Sequence, residues 1–575
     1  MNSLRHSARA AARRGLLTAC TALALSAGTL LPAGPAVADG GRPALPALRL
    51  LPPQHGGPAA AGYAAGAAAA TVKPRLDADR DGRPDALFRD ADGRVGVTLS
   101  TTGQQVDFNI QTTDMAEVAK DIVPVGDLGG DKNSELLTLS GWGILSLHST
   151  TGPYNAGRRT WAGGGWGAYN KLLAPGDLTR DGRPDLLART PSGSLYLYRS
   201  TGALTGEPFA PRVYVGAGWG AYDQLVGGND LDRDGIGDLL AKTPTGDLYF
   251  YKGTGSATAP FRARVKVGPG WNAYNQLAGA DDLDGDGRAD LVARAFDGTL
   301  WLYRSTGSGV FTARAKYGTG GEALRFLGGH GGVPDYGKHS VLAREADGQL
   351  YEYLELANGT FRRRASAGYE HAFTGRPVAA AGLDLRDEPH LLRLGTDTVH
   401  DYDTEADLTG DWTGAKLLLG VGDLTGDGKG DLLTRDAAGV LWLHPGDGRG
   451  LATTARVRVG PGWNGYDRLL GAGDFSGDGR TDLIARDTAG RVWLYTGTGS
   501  AAAPFAARAQ IGTGWGGYDE LAATGDLNGD GRADLIARDT TGTVYRYTAT
   551  GLAGTATFGP RVKLATGWGA YTHLG

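Results

Sequence analysis

Aspartate is the residue whose spacing in this sequence most directly implies chemistry. From Asp282 onward, carboxylates fall at the first, third, fifth and ninth positions of one short stretch (Asp282, Asp284, Asp286, Asp290), with Gly287 at the sixth. Six further stretches repeat the pattern: Asp77/Asp79/Asp81/Asp85, Asp177/Thr179/Asp181/Asp185, Asp230/Asp232/Asp234/Asp238, Asp423/Thr425/Asp427/Asp431, Asp474/Ser476/Asp478/Asp482 and Asp526/Asn528/Asp530/Asp534. An eighth, from Asp127, is weaker, with Lys132 in place of the glycine and Glu135 at the last position.

A tightly curled loop brings positions one, three and five together. Glycine at the sixth permits a positive φ, the carbonyl of Arg288 adds an oxygen, and the ninth residue closes the shell. Such an all-oxygen set suits Ca²⁺, which takes six to eight oxygens at about 2.3–2.6 Å. Thr, Ser or Asn at the third position keeps an oxygen and removes a charge. No His or Cys accompanies the carboxylates, which argues against zinc or copper, and Mg²⁺ prefers fewer ligands in a stricter octahedron. Asp-Gly turns are common in β proteins, but seven copies at fixed offsets are not accounted for that way, and carboxylates so crowded repel one another without a cation. Calcium is therefore expected at several sites in a structural role. At a dissociation constant of about 10⁻⁴ M, millimolar calcium would stabilise folding by roughly 1.4 kcal/mol per site.

The elements that must position these loops form a cassette with a period near 50 residues. The Asp loop leads into Asp-Leu-Leu-Ala-Arg, then a glycine turn, then an apolar strand such as Leu195-Tyr196-Leu197-Tyr198, and finally a Gly-Trp-Gly-Ala-Tyr element before the next loop. Short stretches alternating at period two, bounded by Gly and Asp, read as strands, four to a unit. Two more units are visible by their strands alone, around Val341–Arg344 with Leu350–Tyr353 and around Leu391–Leu394 with Val399–Tyr402, which makes ten. With 96 Gly and a charged share of 21%, the expected fold is all-β: a β-propeller of about ten four-stranded repeats. The first unit starts at Asp77 without the Gly-Trp element and following strand that precede most others, and the chain ends in that piece, Gly567 to Gly575. This predicts closure by the C-terminal strand, in one large ring or two smaller propellers.

The loops and their spacing resemble the FG-GAP/VCBS repeat family, whose blades also build integrin α-chain propellers; the resemblance spans about Val72 to Gly575. It implies calcium-binding propeller blades. The family's Phe-Gly/Gly-Ala-Pro signature is poorly kept, with Ala174-Pro175-Gly176 and Ala278-Gly279-Ala280 in its place.

Residues 1–38 have the pattern of a cleaved, bacterial-type signal peptide: Arg5, Arg9, Arg13 and Arg14, an apolar run from Gly15 to Leu31, and Ala36-Val37-Ala38. Arg13-Arg14 leaves the export route open between the general and twin-arginine pathways. Leu17-Thr18-Ala19-Cys20 is too early in the apolar run for a good lipoprotein box. Cys20 is the only cysteine, so the mature chain has no disulfide. Residues 39–72, rich in Ala, Gly and Pro, read as a flexible leader before the repeats of 73–575. No later stretch is apolar enough to span a membrane, and a net charge of −4 gives no reason to expect nucleic acid or basic patches. A secreted, extracellular monomer is expected.

Two other features bear on function. Trp166, Trp219, Trp271, Trp463, Trp515 and Trp568 each stand three residues before a tyrosine. They could stack on sugar rings as repeated ligand-binding sites or, the favoured reading, pack blade against blade. The less regular stretch from Glu322 to Asp411 holds His330, His339, His371, His390 and His400 with Asp384, Asp387 and Glu388 nearby. It contains no nucleophile motif or zinc spacing. The expected function is an extracellular binding or adhesion module for a glycan or protein; the alternatives are a secreted carbohydrate-active lyase or hydrolase and a purely structural accessory protein.

Overall fold

The computed structural model describes residues 47–51 and 72–575, apart from 114–116, 335–337, 363, 368–372, 385–387 and 472. The signal segment, most of the leader, His371 and Asp387 lie outside the described residues. These residues form sheets that are antiparallel apart from one short parallel pair, Asn109–Ile110 with Asn155–Ala156, joined by tight turns and single 3₁₀ turns.

The third repeat shows why the sequence folds this way. Lys171–Gly176, Asp185–Arg189, Leu195–Tyr198 and Val213–Gly216 pair in that order as one four-stranded antiparallel sheet. The first two strands are buried along their whole length, whereas Leu195–Tyr198 alternates buried and half-buried residues. First strands of neighbouring sheets pack together, as Lys171–Gly176 does with Gln224–Asn229, so they lie innermost and fourth strands form the outer rim.

Among the described residues ten sheets, each with such a four-stranded core and three with added strands, follow one another, numbered here by the order of their second strands. The order returns on itself twice. Leu324–Leu327 pairs with Ala86–Asp90 and completes the first sheet, and Tyr571–Leu574 pairs with Ser340–Glu345 and completes the sixth. Shared cores follow the same circuits. Clusters join sheets one to two, two to three, three to four, four to five and five to one, then six to seven, seven to eight, eight to nine, nine to ten and ten to six. The fold is a β-propeller architecture of two five-sheet sets. The C-terminal strand therefore completes the sixth sheet, not the one at Asp77 to which the sequence pointed. Part of the expected leader is also ordered: Arg49–Leu50 pairs with the edge strand Ala315–Thr319, and Leu48 is buried against sheets one and five.

The two sets meet end to end. Asp loops join first to second strands and Gly-Trp turns precede the first strands, so these features lie at opposite ends of each sheet. Loops of the second set dock on the Gly-Trp end of the first. Asn170 Nδ2 donates to the Asp478 carbonyl at 2.7 Å, and Asn275 Nδ2 donates to the Asn528 carbonyl at 2.6 Å. Arg294 Nη2 donates to the Gly529 carbonyl at 3.1 Å, and Arg532 bridges Asp530 of its own loop (2.7 Å) to Asp223 across the junction (3.2 Å). Sheet nine thus sits over sheet three, and sheet ten over sheets four and five. Among the described residues no helix is long and apolar enough to cross a membrane.

Candidate metal centres

Each Asp loop is built on its first carboxylate. Asp282 Oδ1 accepts the N–H groups of Gly285 (2.8 Å) and Asp286 (3.0 Å), and Oδ2 accepts that of Gly287 (2.9 Å). The curl needs left-handed residues at positions four and six, here Gly285 (φ 79°) and Gly287 (φ 85°). Lys132 takes the second of these with φ 69° in the weaker loop, at a strain that glycine avoids. That loop folds like the others, with Glu135 accepting the Leu128 N–H at 2.7 Å, but Gly129 leaves it no side-chain oxygen at position three.

The ninth residue opens the second strand and ties the loop to the third. Asp185 accepts the N–H of Leu178 (3.0 Å) and of Ser200 (3.2 Å). Burial pushes these closing carboxylates up: Asp85, Asp185 and Asp431 to about 7, Asp238 and Asp290 to about 8. Asp482 and Asp534, where neighbouring carboxylates add to burial, also stand well above the ordinary range. Each strongly favours a neutralising proton or cation.

Three loops bring ligand-type oxygens within 4.8 Å of one another: Asp77/Asp79/Asp85, Asp230/Asp232/Asp234 and Asp282/Asp284/Asp290. Two loops with a shorter polar residue at position three converge through it; Thr425 Oγ1 donates to Asp427 at 3.1 Å and Ser476 Oγ to Asp474 at 3.1 Å. Buried Asp232 Oδ1 and Asp534 Oδ2 have no hydrogen-bond partner, as expected of oxygens that a cation would engage. Basic side chains already reach some loops: Lys252 contacts Asp232 and Asp234, and Arg304 lies 3.0 Å from Asp284. The donor set is hard oxygen throughout and fits Ca²⁺ better than a nitrogen- or sulfur-seeking metal.

The four side chains of a loop do not all lie in one close group in this structure. Asp81 stands outside the Asp77/Asp79/Asp85 group: it is exposed, its Oδ1 accepts the Arg83 N–H at 2.9 Å, and its Oδ2 accepts the Thr101 hydroxyl. Asp286 and Asp238 likewise fall outside the groups of their own loops. In the loop from Asp177, Asp181 is exposed and its Oδ1 turns back to accept the Arg183 N–H at 3.0 Å. Thr179 meets the closing carboxylate through its backbone, donating its N–H to Asp185 at 2.9 Å, and Asp177, Asp181 and Asp185 form no close carboxylate group among the described residues. Fifth-position carboxylates cap the N–H two residues on, Asp234 included (Ile236 N–H, 3.0 Å), so the cap fixes the turn without deciding which carboxylates gather. Asp81, Thr179 and Asp181 shape their turns in this structure, and Asp77, Asp79 and Asp85 are the better-gathered carboxylates.

The seventh sheet solves the same charge problem without a carboxylate at the start of its second strand. His390 holds that place, donating through Nδ1 to Asp401 (2.6 Å), with Nε2 3.2 Å from Asp384. Despite burial, the two carboxylates raise the imidazole to about 9. Asp403 is adjacent and accepts the Leu391 N–H at 2.7 Å. The other histidines described in this stretch do not join it: His339 pairs with Glu355 (2.9 Å), His400 with Asp407 (2.9 Å), and His330 lies 3.5 Å from Asp121.

The tryptophans are packing residues. Trp219 follows Gly218 (φ 86°) in a single 3₁₀ turn, 4.8 Å from Tyr251 and 5.9 Å from Tyr222 by ring centroid. Trp166, Trp219, Trp271, Trp463, Trp515 and Trp568 are only 6–8% exposed. Sugar stacking on them is accordingly corrected: each ring fills the seam between sheets and offers no open face. The sequence reading missed what lies beyond each seam. Arg264 stacks 4.3 Å over Tyr249 and donates to the Tyr222 hydroxyl, which is 2.6 Å from that of Tyr251. Aromatic residues on third strands spaced from Arg on fourth strands were the available signal.

Residues 177–241, 282–331 and 474–537 match the FG-GAP-like repeat family, each segment beginning on the first aspartate of a loop. These three segments are FG-GAP-like repeats. Comparison with curated proteins gave no significant match. Similar solved structures include the BP39L lectin from Burkholderia pseudomallei (12% identity, 78% of this chain and 99% of that one, TM-score 0.23). Others are BBS1N in complex with ARL6DN (12%, 66% and 94%, 0.22) and a protein of unknown function from Bacteroides caccae (11%, 47% and 83%, 0.24). The fold assignment rests on the strand pairing described above.

Proposed function

We propose that the protein is an exported scaffold that acts by binding an extracellular glycan or protein, with Ca²⁺ in its Asp loops holding the sheets in place. The observation that carries the calcium reading is the repeated loop whose closing carboxylate is buried beside other acidic oxygens and is pushed to about 7 or 8. Asp77, Asp79 and Asp85 are the type of ligand set, and a bound divalent ion would supply the neutralising charge that this burial demands. Release from the cell is read from residues 1–38. The binding role is supported by the repeats themselves: they present one rim, sheet after sheet, and weak contacts that recur add through multivalency.

The test is an array of glycans and extracellular proteins probed with the mature chain, in calcium and in EGTA. The reading expects at least one ligand bound in calcium and released in EGTA. Binding that EGTA leaves unchanged would separate the scaffold from the metal, and the appearance of cleaved glycan ends would overturn the binding role.

A further inference from the structure

We propose that one flank of the molecule, formed by the outer rims of sheets three, four and five together with sheets nine and ten, is a binding surface for an acidic polysaccharide. This rests on the binding reading above and names a ligand class for it.

Five arginines carry the argument: Arg212, Arg264 and Arg314 on consecutive sheets of the first set, Arg508 and Arg561 on consecutive sheets of the second. Each is exposed. Each guanidinium lies over an aromatic ring of the adjacent third strand at 4.1–4.4 Å. Each also donates through Nη1 to a tyrosine hydroxyl of its own sheet. A guanidinium has five N–H donors, so most of each fork is left for solvent or ligand. Among the described residues none of the five pairs with a carboxylate. Ring stacking fixes the fork in advance, which lowers the ordering cost of binding an anion.

Their placement separates this surface from ordinary edge protection. Basic residues on outer strands discourage edge-to-edge pairing, and that need applies to every sheet alike. Yet the equivalent arginines elsewhere are neutralised, Arg364 by Glu345 at 3.1 Å on sheet six and Arg456 by Asp411 at 2.9 Å on sheet eight. Because sheet nine sits over sheet three, and sheet ten over four and five, the five unpaired forks gather on one side of the stacked sets. Lys316 and Lys563, also exposed, add charge two residues along the same rims. A polymer with a sulfate or carboxylate on each repeat meets such a row with charge-assisted, often bidentate bonds. Single-stranded nucleic acid fits less well, since it binds by stacking bases on open aromatic faces, and here the guanidinium covers the face.

The experiment measures binding of the mature chain, in calcium, to dextran sulfate, polygalacturonate, uncharged dextran and single-stranded DNA. The expected result is salt-sensitive binding to the two acidic polysaccharides, no binding to dextran, and at least about tenfold weaker binding for the Arg212→Gln/Arg264→Gln/Arg314→Gln variant at an unchanged melting temperature. The Arg456→Gln variant should bind like the parent. If the triple variant fails to fold, Arg264→Gln and Arg508→Gln singly should each weaken binding several-fold. No binding to either acidic polysaccharide, equal binding by the arginine variants, or tighter binding to DNA would overturn the proposal. If the parent binds a neutral glycan or a protein on the array but no acidic polysaccharide, this assignment fails and the binding role stands.

Discussion

His390 offers a direct test of how burial and charge are balanced in a sheet that lacks the aspartate loop. The side chain is 1% exposed and lies between Asp401 and Asp384, which raise it from 6.5 to about 9. A group raised in the folded state stabilises fully below its unfolded pKa and loses that contribution as pH climbs through its folded pKa. Here the window runs from about 6.5 to about 9, and a shift of that size corresponds to on the order of 3 kcal/mol. A protein of two sheet sets need not unfold in one step, so the informative assay is hydrogen exchange across residues 390–401 at constant excess calcium. The parent should lose local protection steadily over this range. His390→Asn should be destabilised at pH 6.5, because two carboxylates are left without their cation, at a cost of about 3–5 kcal/mol, and should show little further change up to pH 9. Parallel profiles for parent and variant, or an imidazole titrating at or below 6.5, would refute the reasoning.

Other consequences follow from the same contacts. With calcium chelated, the carboxylates of Asp238 and Asp290, raised to about 8, favour the folded state only while protonated; their contribution is full below about pH 4 and lost as pH passes 7–8. Melting in EGTA should therefore fall between pH 6 and 8.5, and saturating calcium should flatten the slope. Trp271→Ala empties a seam in which Trp271 lies 4.7 Å from Tyr303 and should cost about 3–5 kcal/mol in denaturant unfolding. Asn170→Ala with Asn275→Ala removes three junction bonds without touching a loop carboxylate; it should lower the melting temperature in calcium while leaving calcium affinity within about twofold.

Much of this was legible in the sequence because the repeat wrote it seven times: the loop offsets, the strands and the number of units all follow from local pattern. Spacing did not reveal how far each loop closes. Asp81, Asp181 and Asp234 hold the same offset and all cap the N–H two residues on, yet only Asp234 joins a carboxylate group, a difference in side-chain placement that spacing does not carry. The pairing of the closing strands was not legible either. Gly320-Gly321-Glu322-Ala323 adopts the same turn as the Gly-Trp elements, with Gly320 at φ 87°, and delivers Leu324–Leu327 to the first sheet. Gly321 stands where the other turns carry tryptophan, so the element was concealed. The distribution of charge was not legible for a related reason. A net charge of −4 averages acidic loops against basic rims, and only folding places Arg212, Arg264, Arg314, Arg508 and Arg561 on one flank. His390 was visible as a histidine, but its role depends on Asp384 and Asp401, which come together only through the turn and strand pairing of that sheet.

The central claim is that the Asp loops are cation sites on which the fold depends. Titration calorimetry of the metal-free mature chain with CaCl₂, paired with melting curves, tests it most directly. The account predicts saturable binding of several ions, up to the seven loops that keep four side-chain oxygens, with a melting temperature that rises with calcium and falls in EGTA. An absence of binding heat together with a melting curve indifferent to both reagents would contradict it.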